Sequence, residues 1–178
     1  ECLRVLDNIA GFARPIIILT GGEPMLRADI YEIAAHGHRL GLRMVMAPCG
    51  FLVDDASVAK MVQAGIDCIS LSIDGATAAS HDAFRATDGA FERVIAAAET
   101  ARRGGLAFQV NTTLTRGNLT ELPEIMALAS KLGAVTFNPF LLVPTGRGQA
   151  LADQELSAVE YETTLKWLAD CETGDMAV

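Results

Sequence analysis

The sequence predicts an α/β fold in which five parallel strands alternate with helices. Three observations carry that prediction. Short β-rich runs alternate with longer runs of helical periodicity along the 178 residues. The strand candidates, Ile16-Ile17-Ile18-Leu19 above all, are nearly continuous apolar runs, as in parallel strands buried on both faces. Glycines that can close a helix in the left-handed conformation, Gly41, Gly65, Gly104 and Gly133, punctuate the alternation.

Taken in order, residues 1–12 read as a helix, with Leu3, Leu6, Ile9 and Ala10 on one stripe. Pro15 to Thr20 reads as a strand and Asp29 to Leu40 as a helix. Leu42 to Ala47 and Asp54 to Ala64 repeat the pair, and Asp67 to Ile73 with Ala90 to Arg103 repeats it again. Strand Ala107 to Leu114 precedes helix Leu119 to Leu132, and strand Ala134 to Leu142 follows. The segment Val143 to Asp153 reads as a long loop. A last helix starts near Ser157, where Ser157 and Glu160 form a capping-box pattern. A closed eight-stranded barrel takes about 250 residues, so five units predict an open one. The first helix leads straight into a buried strand, which predicts an earlier strand outside this sequence. The chain is therefore expected to be an internal piece, residues 1–178, of a longer protein. Its sheet should then expose an apolar edge.

Composition narrows the function. A hydrophobic share of 51% with 20% charged residues suffices for a core and argues against disorder. With 14 basic and 22 acidic side chains, a net charge of -8 argues against nucleic-acid or anionic-membrane partners. No apolar stretch reaches the length of a membrane span, and no signal peptide is visible. Cys2, Cys49, Cys68 and Cys171 show no metal-type spacing, so no metal ligand is assigned and a reducing cytoplasmic compartment is expected. The triplets Asn111-Thr112-Thr113 and Asn118-Leu119-Thr120 then read as chance matches to a glycosylation signal.

In parallel α/β folds, ligands bind where strands end and loops enter the next helix. The first strand ends in Thr20-Gly21-Gly22-Glu23-Pro24. Its bare backbone and single carboxylate suit an ammonium group, although an ordinary tight turn would look the same. Alternation places Ser70, Ser72 and Asp74 on one side of the third strand; either a ligand satisfies them or Asp74 caps a helix. His81, Asp82 and Arg85 follow at helical spacing, and Arg85 suits a carboxylate. Gln109, Asn111 and Thr113 share one face of the fourth strand. The fifth leads into an apolar stretch able to hold a flat ring. Cys49, after the second strand, is either poised near a site or simply a small buried apolar residue.

These motifs in order, TGGEP, SIDG with His81-Asp82 and Arg85, and the Leu142 to Gly148 run, resemble the radical S-adenosylmethionine (radical SAM) enzymes. The likeness is to their SPASM-type branch, which carries an additional C-terminal cluster domain. It covers a core of about residues 15–148, with 149–178 a loop and helix leading toward a C-terminal region. The resemblance implies a partial (βα) barrel and an oxidoreductase in which a [4Fe–4S] cluster reductively cleaves S-adenosylmethionine to a 5′-deoxyadenosyl radical that abstracts hydrogen. It implies that Gly21, Gly22 and Glu23 receive the cofactor's amino group and that Ser72 and Arg85 contact its carboxylate. Asp74 would support them or touch the ribose, Asn111 and Thr113 would line the cavity toward the ribose, and Leu142 and Val143 would flank the adenine. The family's CxxxCxxC is absent from these residues, and it is expected before Glu1. This stretch alone should then be inactive. An electron donor such as flavodoxin or ferredoxin is implied, with a small-molecule or peptide substrate.

The Leu142 to Gly148 run and the helix from Ser157 to Leu168 look most like members that decarboxylate or remove propionates of haem precursors. Peptide-modifying maturases and the molybdenum-cofactor-type cyclase share the remaining motifs. Two readings of other classes compete: a cluster-free barrel enzyme with Glu23 as general base, and a non-catalytic binding domain. The first needs a phosphate-type loop or a strand-end lysine, whereas Lys60, Lys131 and Lys166 all fall on predicted helices.

Overall fold

A computed structural model describes residues 1–171 and 176–178, apart from the side chain of residue 147. Among the described residues are seven α-helices and five strands, which follow the predicted order except that an additional helix, α4, precedes the helix expected from Ala90: α1 (Cys2–Phe12), β1 (Ile16–Leu19), α2 (Ile30–Arg39), β2 (Arg43–Met46), α3 (Asp55–Gln63) and β3 (Ile66–Ser72). Then come α4 (Ala78–Arg85), α5 (Ala90–Arg103), β4 (Ala107–Leu114), α6 (Leu122–Leu132), β5 (Thr136–Leu141) and α7 (Ala158–Asp170). The strands run in sequence order in one sheet, β1-β2-β3-β4-β5, which is the order of a partial (βα) barrel. The chain divides into two compact units, Glu1–Leu71 with Arg93–Gln109, and Ser72–Glu92 with Val110–Val178.

In the first unit, β1 pairs parallel with β2 and β2 with β3. The second ladder slips between Met44 and Val45, leaving Asp67 as the extra residue of a bulge. Its carboxylate accepts the Met44 N–H at 3.1 Å, so the donor beside the irregular step remains satisfied. Leu6, Ile33, Leu42 and Met44 form a buried cluster, against which Ile17 and Leu19 pack. The other face of β1 corrects the sequence reading. Ile16 and Ile18 are 54% and 58% exposed, because the described helices of this unit cover only one side of that strand. Continuous apolar character was the wrong sign of two-sided burial here.

Helix ends follow local chemistry. Asp54 with Ser57, Thr77 with Ser80, and Ser157 with Glu160 close capping boxes. The sequence gives α5 the wrong closing glycine. Gly105, not Gly104, takes the left-handed conformation with φ +72. Gly104 is bare for packing, since a Cβ there would stand 2.4 Å from Val58 Cγ1. The single helix expected from Leu119 is a 3-10 turn, Leu119–Glu121, followed by α6 with Pro123 in its first turn. The expected loop after β5 contains 3-10 turns over Gly146–Gln154.

In the second unit, β4 shows the alternation that positions polar side chains. Val110, Thr112 and Leu114 are buried while Asn111 and Thr113 are half-exposed. The Leu142 N–H donates to the Leu114 carbonyl, extending the β4–β5 connection beyond the strand.

Candidate functional site: the strand mouths

In the first unit, β1 opens into Gly21-Gly22-Glu23. Gly21 has φ +137, a conformation that effectively requires glycine. A Cβ built on Gly21 or Gly22 would meet nothing within 4 Å, so the space beside this backbone is open to a ligand. Pro24 holds Glu23 extended and starts a 3-10 turn. The Glu23 carboxylate accepts the Met25 N–H at 2.9 Å through Oε1 and the Cys49 N–H at 2.7 Å through Oε2. It therefore ties the loop after β1 to the loop after β2. An ionised carboxylate has about four acceptor positions, so this engagement still leaves capacity for a cation. Cys49 is exposed. Partial burial, and then the neighbouring Glu23 carboxylate, push its thiol pKa up, which keeps it protonated and poorly nucleophilic at neutral pH.

In the second unit the SIDG segment leaves β3. Asp74 is fully buried, and its Oδ2 accepts a hydrogen bond from Arg85 Nε at 2.6 Å, with Nη2 of the same ion pair 2.5 Å away. Its other oxygen accepts the Thr113 N–H at 2.7 Å. The Asp74 N–H donates to His81 Nδ1 at 3.0 Å. Asn118 Nδ2 donates to the carbonyls of Asp74 and Thr113, at 2.8 and 2.9 Å, while its Oδ1 accepts the Thr115 N–H at 2.8 Å. Thr112 Oγ1 adds a bond to the Ile73 carbonyl at 2.6 Å. Asp82 is a remote cap for α5, accepting the N–H groups of Phe91 and Gly89; the Phe91 bond leads in holding its pKa down.

Ser72 ends β3 half-buried. Asn138 Nδ2 donates to Asn111 Oδ1 at 3.1 Å, so the Asn111 amide is oriented from β5. Leu142 is buried, and its carbonyl accepts the Tyr161 hydroxyl at 3.0 Å, whereas Val143 is 66% exposed. Sequence reasoning named Asp74, Arg85 and Thr113 without their mutual bonds. It passed over Asn118, whose only visible signal was a chance glycosylation triplet, and it gave His81 no role.

A backbone N–H can only donate, so His81 Nδ1 must be unprotonated and the ring neutral. Burial is the main cause that lowers the His81 pKa; Asp74 and Asp82 oppose it, and Arg85 adds to it. Below the ordinary imidazole value of about 6.5, the unfolded chain thus binds a proton that the folded chain resists. Stability from this group is complete above that value and falls as the pH drops through it. Urea midpoints should fall between pH 7.5 and 5.5, and His81→Asn should remove that component. A midpoint equally pH-dependent in the variant would contradict the assignment.

Parallel strands in sequence order, connected by helices, define an α/β protein of the partial-barrel class. Within that class the chain belongs to the radical SAM superfamily, whose model matches residues 1–129. It is 46% identical over 170 residues to the AdoMet-dependent heme synthase of Nitratidesulfovibrio vulgaris, covering 96% of this chain and 46% of that protein. Against the protein of the same name in Methanosarcina barkeri, identity is 45%, over 94% of this chain and 47% of the relative. The chain thus spans a little under half the length of these curated relatives. Among solved structures, anSMEcpe with bound AdoMet and Cp18Cys peptide shares the fold, with TM-score 0.75, 17% identity, and coverage of 95% of this chain and 50% of that one.

The family uses S-adenosylmethionine and a [4Fe–4S] cluster. The two groups fit these residues differently. In the first unit, the open backbone at Gly21 and Gly22 and the carboxylate of Glu23 have the chemistry to accept an ammonium group; in the second, the partly exposed guanidinium of Arg85 has the chemistry to meet a carboxylate, and S-adenosylmethionine carries both groups. No CxxxCxxC occurs in the sequence, and no cluster of three or more metal-ligating side chains occurs among the described residues. A [4Fe–4S] cluster therefore has no ligand set within this chain's described residues. No described helix is long and apolar enough to cross a membrane.

Proposed function

We propose that this chain is the S-adenosylmethionine-binding core of a radical enzyme that acts on the propionate side chains of a haem precursor. The carrying observation is identity of 43–46% over at least 94% of the chain to three proteins named AdoMet-dependent heme synthase. A peptide substrate is the second reading. It draws on 34% identity, over 73% of the chain, to a PqqA peptide cyclase. The haem reading is preferred because its relatives are closer over more of the chain.

In this proposal the core runs from about residue 15 to 148, with 149–178 leading onward from it. Gly21, Gly22 and Glu23 receive the ammonium group; Ser72 and Arg85 take the carboxylate. Asp74 acts as the support of Arg85, since its own oxygens are already engaged by Arg85 and Thr113. Asn111 and Thr113 face the ribose, and Leu142 with the open Val143 flanks the adenine. When bound, S-adenosylmethionine supplies one-electron cleavage chemistry, with electrons from a flavodoxin or ferredoxin. The residues of this chain orient it and hold its charges. Four free thiols among the described residues make the cytoplasm the proposed compartment.

The test is calorimetry on the full-length protein, reconstituted anaerobically with iron and sulfide. S-adenosylmethionine should bind, and an iron porphyrin bearing propionates should lose carboxyl groups on reduction. Glu23→Ala removes a charged hydrogen-bond partner worth about 1.5–3 kcal/mol, so affinity should fall roughly ten- to hundredfold. Absence of binding in the parent protein would overturn the proposal. Conversion of a peptide but not a porphyrin would favour the second reading.

A further inference from the structure

We infer that His81 and Asn118 are positioning residues, which aim the Arg85 guanidinium at the cofactor's carboxylate by fixing Asp74 through its backbone. This inference rests on the cofactor-binding role proposed above. Its basis is the arrangement of bonds around Asp74, every one of which lies within the second unit.

His81 and Asn118 are 2% and 4% exposed, so neither reaches a ligand through open surface. Both instead hold the main chain of Asp74. His81 Nδ1 accepts its N–H, and Asn118 Nδ2 donates to its carbonyl. The second Asn118 amide bond, to the Thr113 carbonyl, locks the end of β3 to the end of β4. Held in this way, Asp74 directs one oxygen at Thr113 N–H and the other at Arg85. Arg85 donates its Nε–H to one carboxylate oxygen and brings Nη2 against the same oxygen as an ion pair. A guanidinium has five N–H donors in a fixed plane, so about three remain, and their direction is set by the Asp74 contact. The Arg85 side chain is 38% exposed and its partner 0%. Asp74, His81 and Asn118 are thus buried, while the charged group that a ligand carboxylate would meet is partly exposed.

The charged groups around His81 are Asp74 at the end of β3 and Asp82 and Arg85 on α4; α5 contributes the uncharged ring of Phe91, 5.8 Å from the imidazole between centroids. Protonation would turn Nδ1 into a donor facing the Asp74 N–H donor and break that bond. Cofactor affinity should therefore weaken on acidification.

The experiment uses the full-length reconstituted protein and measures two dissociation constants by calorimetry between pH 5.5 and 8. One ligand is S-adenosylmethionine; the other is 5′-methylthioadenosine, which lacks the carboxylate and ammonium. At pH 7.5, His81→Leu and Asn118→Ala should each weaken S-adenosylmethionine at least tenfold and leave 5′-methylthioadenosine within about twofold. His81→Asn keeps an acceptor oxygen near the Nδ1 position. It should restore S-adenosylmethionine affinity to within about threefold of the parent and abolish its decline at acid pH. Equal losses for both ligands would show a purely structural role and overturn the inference, as would no loss for either. Should His81→Leu or Asn118→Ala not fold, a parent pH profile identical to that of His81→Asn overturns it equally. A parent that fails to bind S-adenosylmethionine refutes the cofactor role itself, and the unmutated arm shows that outcome separately.

Discussion

Arg85→Ala is expected to destabilise the fold by about 3–5 kcal/mol, and by more than Asp74→Ala does. The order follows from unequal burial within one ion pair: Asp74 is 0% exposed and Arg85 38%. Without the arginine, a carboxylate is left inside the protein with the Thr113 N–H as its remaining side-chain partner. Without the aspartate, the guanidinium can turn to water, and the loss is the unpaired Thr113 N–H and the pair itself, about 1–3 kcal/mol. Asp74→Asn in the Arg85→Ala background should recover part of the loss, because the neutral amide keeps an acceptor for Thr113. Urea unfolding of the three variants measures this. An Arg85→Ala variant within about 1 kcal/mol of the parent would mean that the pair behaves as a surface contact.

Gly75→Ala should cost about 3 kcal/mol, at the upper end of ordinary overpacking. A Cβ on Gly75 would stand 2.4 Å from Ser80 Oγ, 2.5 Å from the His81 nitrogen and 2.8 Å from the Ser80 carbonyl carbon. Two of those atoms are backbone in the first turns of α4, so no side-chain rotation relieves the clash. The helix would have to shift, and Arg85 sits at its end. Gly22→Ala is the contrast, since its Cβ would meet nothing within 4 Å. Thermal unfolding should separate the two glycines clearly, with Gly22→Ala close to the parent. Equal melting temperatures would show that α4 adjusts freely.

What was legible in the sequence depended on whether the deciding interactions were local. The β4 alternation reads directly from Gln109, Asn111 and Thr113 because strand geometry fixes which neighbours share a face. The Ser157 box reads from residues three apart. Glu23 shows the limit. Its type and the following proline point to a site, yet its bond to Cys49 spans 26 residues and has no sequence signature. Asn118 is further from reach, since it bonds to Asp74 44 residues away. Exposure of Ile16 and Ile18 was equally hidden, because one-sided cover depends on where helices pack and not on the strand's composition. The two roles of Gly104 and Gly105 were not separable in the sequence: Gly105 takes the left-handed position as the Leu106 N–H closes on the Ala101 carbonyl, whereas Gly104 is kept bare by Val58, more than forty residues upstream.

The Glu23 clamp carries a kinetic and thermodynamic corollary for whatever cation meets it. A free glutamate gives up about 1.5–2 kcal/mol of rotameric freedom when it is immobilised, and a floppy one would charge that cost to the ligand. Here Met25 and Cys49 hold it as the chain folds, so the ammonium group proposed to bind there would encounter a preorganised carboxylate with little torsional entropy left to lose.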